Sequence, residues 1–324
     1  RAILASQPFG LPLRNVSDAA ALADAFVKYA NCTPAPPASG TQAALPCLRQ
    51  MSVEAVMDAQ AAAEKDLLVD LFDLSRIFLP WGPSIGEGSL SIQPLAALRG
   101  GHLPRDTELL VGSTHDEGVI PTYAVFTDKM TKDVYTTWEM GMYGAPALAA
   151  INAHYVVPPA EATDARPEWA RVLGDATSLC PARNVSLDMS DRSNVYLYHF
   201  NHSWSFGNAS AAWGPRFPYC ARGAAVCTFS DVPFAFGEPN DGSLPFDDDE
   251  RALSALMMQY WGSFAASGRP EAPPTDPAWP RLDNATADTS VLLLETPTSR
   301  VVDHPFTSPC AFWDELGYQF PVPS

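Results

Sequence analysis

Glu108-Leu109-Leu110-Val111-Gly112-Ser113-Thr114-His115-Asp116-Glu117-Gly118 is the stretch on which the fold turns. Leu109 to Val111 is an apolar run too short for a helix, and Gly112 with small polar residues bounds it. Such a run reads as a short buried strand with a turn behind it. The residues that follow place acids on a loop at the C-terminal edge of that strand. In α/β folds functional groups gather at that edge. A carboxylate there can orient an imidazole and stabilise its cation. Asp116 and Glu117 equally suit the start of a following helix, where negative charge meets the helix dipole. The segment alone leaves both readings open.

Working outward, further strands and helices alternate. Arg1-Ala2-Ile3-Leu4 opens directly as a strand, so the chain reads as a piece of something longer. Ser17 to Tyr29 has apolar residues at helical spacing, with Ser17-Asp18 as its start signal. Pro34 to Gly40 reads as a loop. Ser52 to Phe78 is a long helical pattern. Val195 to Phe200 is a strand rich in tyrosine and β-branched residues. From Asp249 to Ala266, Leu253, Leu256, Met257, Tyr260, Trp261 and Phe264 line one helical face, and Gly268 and Pro270 end it. Ser290 to Glu295 is an apolar strand, and Cys310 to Leu316 a short terminal helix. Strands alternating with helices predict an α/β fold whose central sheet is mostly parallel and covered on both faces. No internal repeat or low-complexity run divides the chain.

Composition narrows the function. Of 324 residues, 47 % are apolar and 18 % charged, enough to build a large core. Twenty Lys and Arg against 37 Asp and Glu leave a net charge of −17, which repels nucleic acid and anionic membrane surfaces. The charge-free stretch from Met140 to Ala160 is broken by Gly144, Pro146, Asn152, His154, Pro158 and Pro159, so no membrane span is expected. Asn-x-Ser/Thr sequons start at Asn15, Asn31, Asn184, Asn201, Asn208 and Asn284. With an even number of cysteines they point to a secreted or lumenal glycoprotein. Six cysteines allow 15 pairings. Cys32 with Cys47 and Cys220 with Cys227 could each close a local loop, which leaves Cys180 with Cys310. No cysteine or histidine spacing suits zinc, and no motif asks for a metal or cofactor.

Gly82-Pro83-Ser84-Ile85-Gly86 is a literal G-x-S-x-G. A nucleophile elbow needs a strand before the serine and a helix directly after it. Pro80 precedes and Glu87-Gly88-Ser89 follows, so Ser84 reads as a decoy.

The ordered motifs resemble the C-terminal portion of the type B carboxylesterases, the α/β-hydrolase family that includes the cholinesterases. Arg1 to Gln7 resembles the strand shortly after the family's nucleophile elbow, and Cys32 to Cys47 with Leu48-Arg49 its small disulfide loop. Glu117 in His115-Asp116-Glu117-Gly118 matches the triad acid. Tyr196-Leu197-Tyr198-His199-Phe200-Asn201-His202 resembles its penultimate strand. Ser230-Asp231-Val232-Pro233-Phe234-Ala235-Phe236-Gly237 resembles the stretch after its catalytic histidine. Tyr260 to Ala265, Gly268-Arg269-Pro270 and Trp279 to Leu282 match its late helix and following loop. Cys310-Ala311-Phe312-Trp313 matches its terminal helix, whose cysteine pairs with the position of Cys180. The resemblance spans nearly all of residues 1–324 as one portion of a single hydrolase domain.

Two departures bear on activity. The family's serine falls before the position matching Arg1. Its histidine, commonly within Cys-His-Gly-Ser, is replaced in Cys227-Thr228-Phe229-Ser230, so Thr228 stands in the base's place. A threonine hydroxyl cannot hold the proton of a general base near neutral pH. None of His102, His115, His154, His199, His202 and His304 matches the family's position; His199 and His202 read as packed or surface residues. The resemblance therefore implies a carboxylic-ester hydrolase for small ester substrates whose triad is incomplete in this chain. The alternative is a non-catalytic extracellular binding protein on the same scaffold, like the neuroligins, with a protein partner.

Overall fold

Five strands form the central sheet of the computed structural model, which describes residues 1–36, 40–67, 80–86, 90–102, 107–155, 163–205, 217–221, 223–238, 242–243, 245–283, 290–303 and 305–318. They lie in the order β1 (Ala2–Ala5), β2 (Leu109–Thr114), β3 (Val195–Phe200), β4 (Val291–Leu294) and β5 (Arg300–Val302). The first four run parallel, with Ala2 level with Leu109, Leu109 with Val195 and Tyr198 with Leu292. β5 returns antiparallel along β4. Four of the strands are those the apolar runs predict. The fifth has only three residues, one of them charged, and shows no period to read.

By its contacts the chain divides into two compact units. One holds Arg1–Gly10, Leu95–Thr136 and Ala149–Gln319; the other holds Leu11–Pro94, Thr137–Leu148 and Phe320–Ser324. The sheet belongs to the first. Five helices of that unit matter for the site: α1 (Val119–Val125), α2 (Arg166–Gly174), α3 (Cys180–Ser190), α4 (Asp248–Ser267) and α5 (Thr307–Leu316).

Every residue of β2, β3 and β4 is buried. Alternate side chains go to different cores. Leu110, Tyr196, Tyr198, Phe200, Leu292 and Leu294 pack with Leu253, Met257, Tyr260 and Phe264 of α4. Leu109, Val111, Val195, Leu197 and Val291 pack with Ala182, Val185 and Met189 of α3. A strand reverses its side chains at each residue, so both faces need an apolar partner, and a helix supplies each. This is why the strands read as unbroken apolar runs rather than alternating ones.

The helix α4 extends the expected 249–266 by one residue at each end. Asp247 accepts from the Glu250 amide, Glu250 accepts from the Asp247 amide, and Gly268 closes the last turn at φ +80°. Between α2 and α3 the helix widens into a π turn over Asp175–Leu179. Pro181 has no amide to give the Thr177 carbonyl four residues back, and the Gly10 amide takes that carbonyl at 2.9 Å instead.

In the second unit, helix Val16–Tyr29 begins earlier than Ser17-Asp18 suggests. Asn15 is its cap, accepting from the Asp18 amide at 2.8 Å. Helix Val53–Leu67 occupies the first part of the long pattern from Ser52, and residues 68–78 lie outside the described residues. Helix Thr41–Leu48 carries Cys47. Ser84 sits in a two-residue strand beside Arg14–Asn15 rather than on an elbow. Residues 87–89 lie outside the described residues.

The three disulfides are Cys32–Cys47, Cys180–Cys310 and Cys220–Cys227, with α-carbons 5.6, 4.9 and 5.8 Å apart. The second bridges 130 residues and ties α5 to the start of α3. Among the described residues no helix is long and apolar enough to cross a membrane.

Past the end of β3, His202 Nε2 lies 2.9 Å from Glu250 Oε1, and its Nδ1 lies 2.9 Å from the Thr296 hydroxyl. Burial alone would raise the Glu250 carboxyl. Hydrogen bonds from His202 and from the Ser205 and Asp247 amides outweigh it and hold the group at about 2. A carboxyl held below its unfolded value of about 4.3 contributes stability that is complete above that value and lost as pH falls toward the folded one. Glu250→Gln is therefore expected to cost up to about 3 kcal/mol at pH 7. Urea unfolding at pH 7, 5 and 3 should show the difference from the parent chain narrowing as the pH drops.

Candidate functional site

The site grows from the C-terminal end of β2. Gly112 lies level with Tyr198 of β3, and a Cβ there would fall 2.2 Å from the tyrosine ring. The missing side chain lets that ring lie flat across the strand. Its hydroxyl then donates to Asp231 Oδ2 at 2.7 Å. A glycine read as a turn signal is thus a packing requirement that fixes an acid on a distant loop.

After β2 the chain folds back on itself through Glu117. The Glu117 Oε1 accepts from the Thr114 amide at 2.6 Å and from its hydroxyl at 3.0 Å. It also accepts from the hydroxyl of Ser6, just past β1, at 2.6 Å. Glu117 is buried. Burial pushes its carboxyl above the usual range; the bonds from Ser6 and Thr114 and the neighbouring Thr228 hydroxyl oppose this, and the nearby Asp231 carboxyl adds to it. Asp231 is itself buried and raised for the same first reason. Gly118 admits helix α2: a Cβ there would lie 1.9 Å from the Ala170 carbonyl oxygen.

Asp116 has a different task. Its amide donates to the Val226 carbonyl at 2.9 Å, and its Oδ2 accepts from the Val226 amide at 2.7 Å. With the bridge between Asp116 and Cys227, this clamps the loop carrying Thr228 against the loop carrying Glu117. The Cys220–Cys227 disulfide closes the other side of that loop. α1 starts at Val119 and has no side-chain cap, and Asp116 joins the two loops through the Val226 backbone.

Phe229 follows Thr228 at φ +71° with 59 % of its surface exposed. That backbone conformation suits glycine, the residue commonly found there in the family pattern, and costs any residue with a Cβ.

The histidines are elsewhere. Among the described residues none hydrogen-bonds Glu117. His115 Nδ1 lies 3.1 Å from Asp116 Oδ1, which raises its pKa. His199 is buried in β3, with Nδ1 3.4 Å from the Ser113 hydroxyl, and burial pushes it down to about 3. His202 is held by Glu250 and Thr296, and His154 stacks on Phe312 at 4.5 Å. His304 lies outside the described residues.

Of the sequon asparagines, Asn31 is exposed at φ +54°. The Asn15 side chain caps a helix. Asn184 Nδ2 donates to Asp314 at 2.9 Å and Asn201 Nδ2 to Glu295 at 3.2 Å. Asn208 and Asn284 lie outside the described residues. Sequence reasoning passed over Ser6, Tyr198 and Asp231 as parts of the site. Ser6 carries no local signal, because its role comes only from β1 lying beside β2.

The family model described as "Carboxylesterase family" matches residues 1–313. Mouse thyroglobulin is 27 % identical over 282 residues, covering 81 % of this chain and 9 % of that protein. Acetylcholinesterase 1 of Caenorhabditis elegans is 25 % identical over 266 residues, 72 % of this chain and 41 % of that protein. A solved PNB esterase superposes with a TM-score of 0.67 at 19 % identity, covering 97 % of this chain and 57 % of that one, and so shares the fold. The chain thus spans well under two thirds of the length of these relatives.

Two substitutions check the energetics. A carboxyl raised by folding stabilises fully below its unfolded value and loses that contribution as pH rises through the folded one. Glu117→Gln should therefore gain on the parent chain in melting temperature between pH 4 and pH 8; a constant offset would contradict a carboxyl raised by burial. Phe229→Gly relieves a left-handed residue that buries little, and a gain of about 1 kcal/mol in urea unfolding is expected.

Proposed function

Because the chain belongs to the carboxylesterase family, we propose that it carries the acid side of a carboxylic-ester hydrolase site, with Glu117 as the triad acid and Thr228 in the place of the base. The clamp of the Thr228 loop onto the Glu117 loop, Asp116 Oδ2 accepting from the Val226 amide at 2.7 Å and Asp116 bridging to Cys227, supports this reading, because it brings residue 228 beside the buried acid. In a serine hydrolase the acid orients the histidine, which takes the proton of the attacking serine and returns it to the leaving group. Residue 228 meets the acid where such a histidine would, but a hydroxyl cannot receive and return a proton near neutral pH. The substrate class belonging to the complete site is a small carboxylic ester. Chain 1–324 as it stands performs no acyl transfer.

A second reading has its own support. The similarity to thyroglobulin covers more of this chain than the similarity to acetylcholinesterase 1. Residues 228 and 229 leave an exposed phenylalanine where the family pattern has its histidine and glycine. A non-catalytic, extracellular binding role on the same scaffold fits both. Three disulfides suit an oxidising compartment for either reading.

The test is hydrolysis of a chromogenic acyl ester, with fluorophosphonate labelling beside it. In serine hydrolases loss of the serine or the histidine costs about 10⁶ in turnover, and losing both costs little more. The 324-residue chain should match its buffer control and resist labelling. Joined to the N-terminal part of a related esterase, the Thr228 form should stay silent and Thr228→His should hydrolyse. Ordinary turnover by the Thr228 form would place the base elsewhere.

A further inference from the structure

A cavity of about 360 Å³ opens at the N-terminal ends of β2 and β3, where Glu108 precedes one strand and Asn194 the other. Glu117 lies past the opposite end of β2. The six residues of that strand, about 20 Å, separate the cavity from the ester site. Its size is at the small end of small-molecule pockets. Two arginines in its wall, Arg192 and Arg281, have no carboxylate partner among the described residues. Gly101, at φ +71°, makes room for Arg192: a Cβ there would fall 1.9 Å from its Nη1. Arg281 Nη1 donates to the neutral Asn194 side chain at 3.0 Å. Asn194 is held in turn, its Nδ2 donating to Glu108 Oε1 at 3.4 Å. These contacts place both guanidiniums before any ligand arrives, which lowers the ordering cost of binding.

The acids of the wall are Glu108 and Asp191. Glu108 is spent on Arg1, whose Nε donates to its Oε2 at 2.7 Å. Asp191 is exposed. Behind the wall, Asp188 of α3 feels the charge of Arg192 but pairs with Arg99 at 3.9 Å. With Arg1 counted beside Glu108, three arginines face two acids here. The chain as a whole has 37 acids against 20 cations, so a local excess of positive charge is out of the ordinary. The hydroxyls of the wall are of one kind. Ser190 Oγ donates to the Leu187 carbonyl at 2.7 Å, and Ser193 Oγ donates to the Thr107 carbonyl. With their protons committed, both hydroxyls can only accept from a ligand. The cavity therefore offers two pre-positioned guanidiniums and, beside them, acceptors without donors.

We propose that this cavity binds a phosphate monoester on a hydroxylated body, with Arg192 and Arg281 on the phosphate and the Ser190 and Ser193 hydroxyls accepting from the body. Guanidinium forks match phosphate oxygens, and such charge-assisted bonds are the strong ones. A phosphate dianion answers two arginines; a carboxylate brings one charge. The body must supply donors, because the serines and Asp191 offer acceptors. Among the described residues no aromatic side chain lines the wall, so an apolar body gains nothing there. The chain's net charge of −17 opposes anions at long range. At 0.15 M salt that field is screened within about 8 Å, and the charges of the wall itself decide. None of this depends on the role of Glu117 or on what occupies position 228.

The test titrates the 324-residue chain by calorimetry at pH 7.5 and about 0.15 M salt with glucose 6-phosphate, glucuronate, glucose and inorganic phosphate. Glucose 6-phosphate should bind about tenfold tighter than glucuronate or glucose. Inorganic phosphate should bind more weakly than glucose 6-phosphate, because it lacks the hydroxylated body. Arg192→Gln and Arg281→Gln should each weaken glucose 6-phosphate about tenfold. Lys28→Gln, which removes an exposed cation of the other unit, should leave its affinity unchanged. Should an arginine variant fail to fold by circular dichroism, the ranking of the four probes on the parent chain decides alone. No binding of glucose 6-phosphate at millimolar concentration, glucuronate or inorganic phosphate binding as tightly, or an affinity unaffected in the folded arginine variants overturns the proposal. A loss that Lys28→Gln shares does the same, since it would mark a general effect of charge.

Discussion

The Glu117 carboxyl, enclosed in protein and held by an amide and two hydroxyls, is the constraint around which the site is organised. An acid taken out of water must be protonated or richly hydrogen-bonded. Its polar neighbours come from three separated parts of the chain: Ser6, Thr114 and Thr228. Only a parallel sheet with β1 beside β2, and a loop after β3 that returns over both, brings them to one point. The two-sided apolar cores under β2 and β3 keep the strands from shifting register, and so keep the acid in place.

The neighbouring Asp116 shows how one short segment divides its work. Asp116 joins two backbones through the Val226 amide and carbonyl, while Glu117 receives side chains. Their side chains differ in length by one methylene and leave the chain in different directions. Adjacent acids thus serve one as a clamp and the other as the functional group. The clamp accounts for the fixed placement of residue 228 even though Thr228 itself is only half-buried.

A second set of constraints runs through the π turn. Pro181 cannot complete the helix there, and Gly10 donates to the freed Thr177 carbonyl. Behind Asp175, Tyr155 and Trp313 form a buried hydrogen-bonded chain into α5. The Cys180–Cys310 disulfide fixes α5 to the residue directly after that turn. The terminal helix is therefore tied to the π turn by side chains as well as by the disulfide.

The sequence by itself determined the strand runs, α4 with its glycine stop and the family pattern that singles out Glu117 and Thr228, and it offered two short-range cysteine pairs, the third following from the family resemblance. Apart from that third pair, each rests on a local signal: an apolar period, a cap, a spacing or a motif. It gave no sign of β5, whose three residues have no period, or of the early start at Asn15, where a cap outranks the apolar pattern. The tertiary structure alone decided that Gly112 exists to admit Tyr198, that Tyr198 holds Asp231 and that Ser6 reaches Glu117. Those are properties of side chains separated by tens to more than a hundred residues along the chain. Proximity across a sheet leaves no mark on the residues between, so they become visible only when the strands are laid side by side.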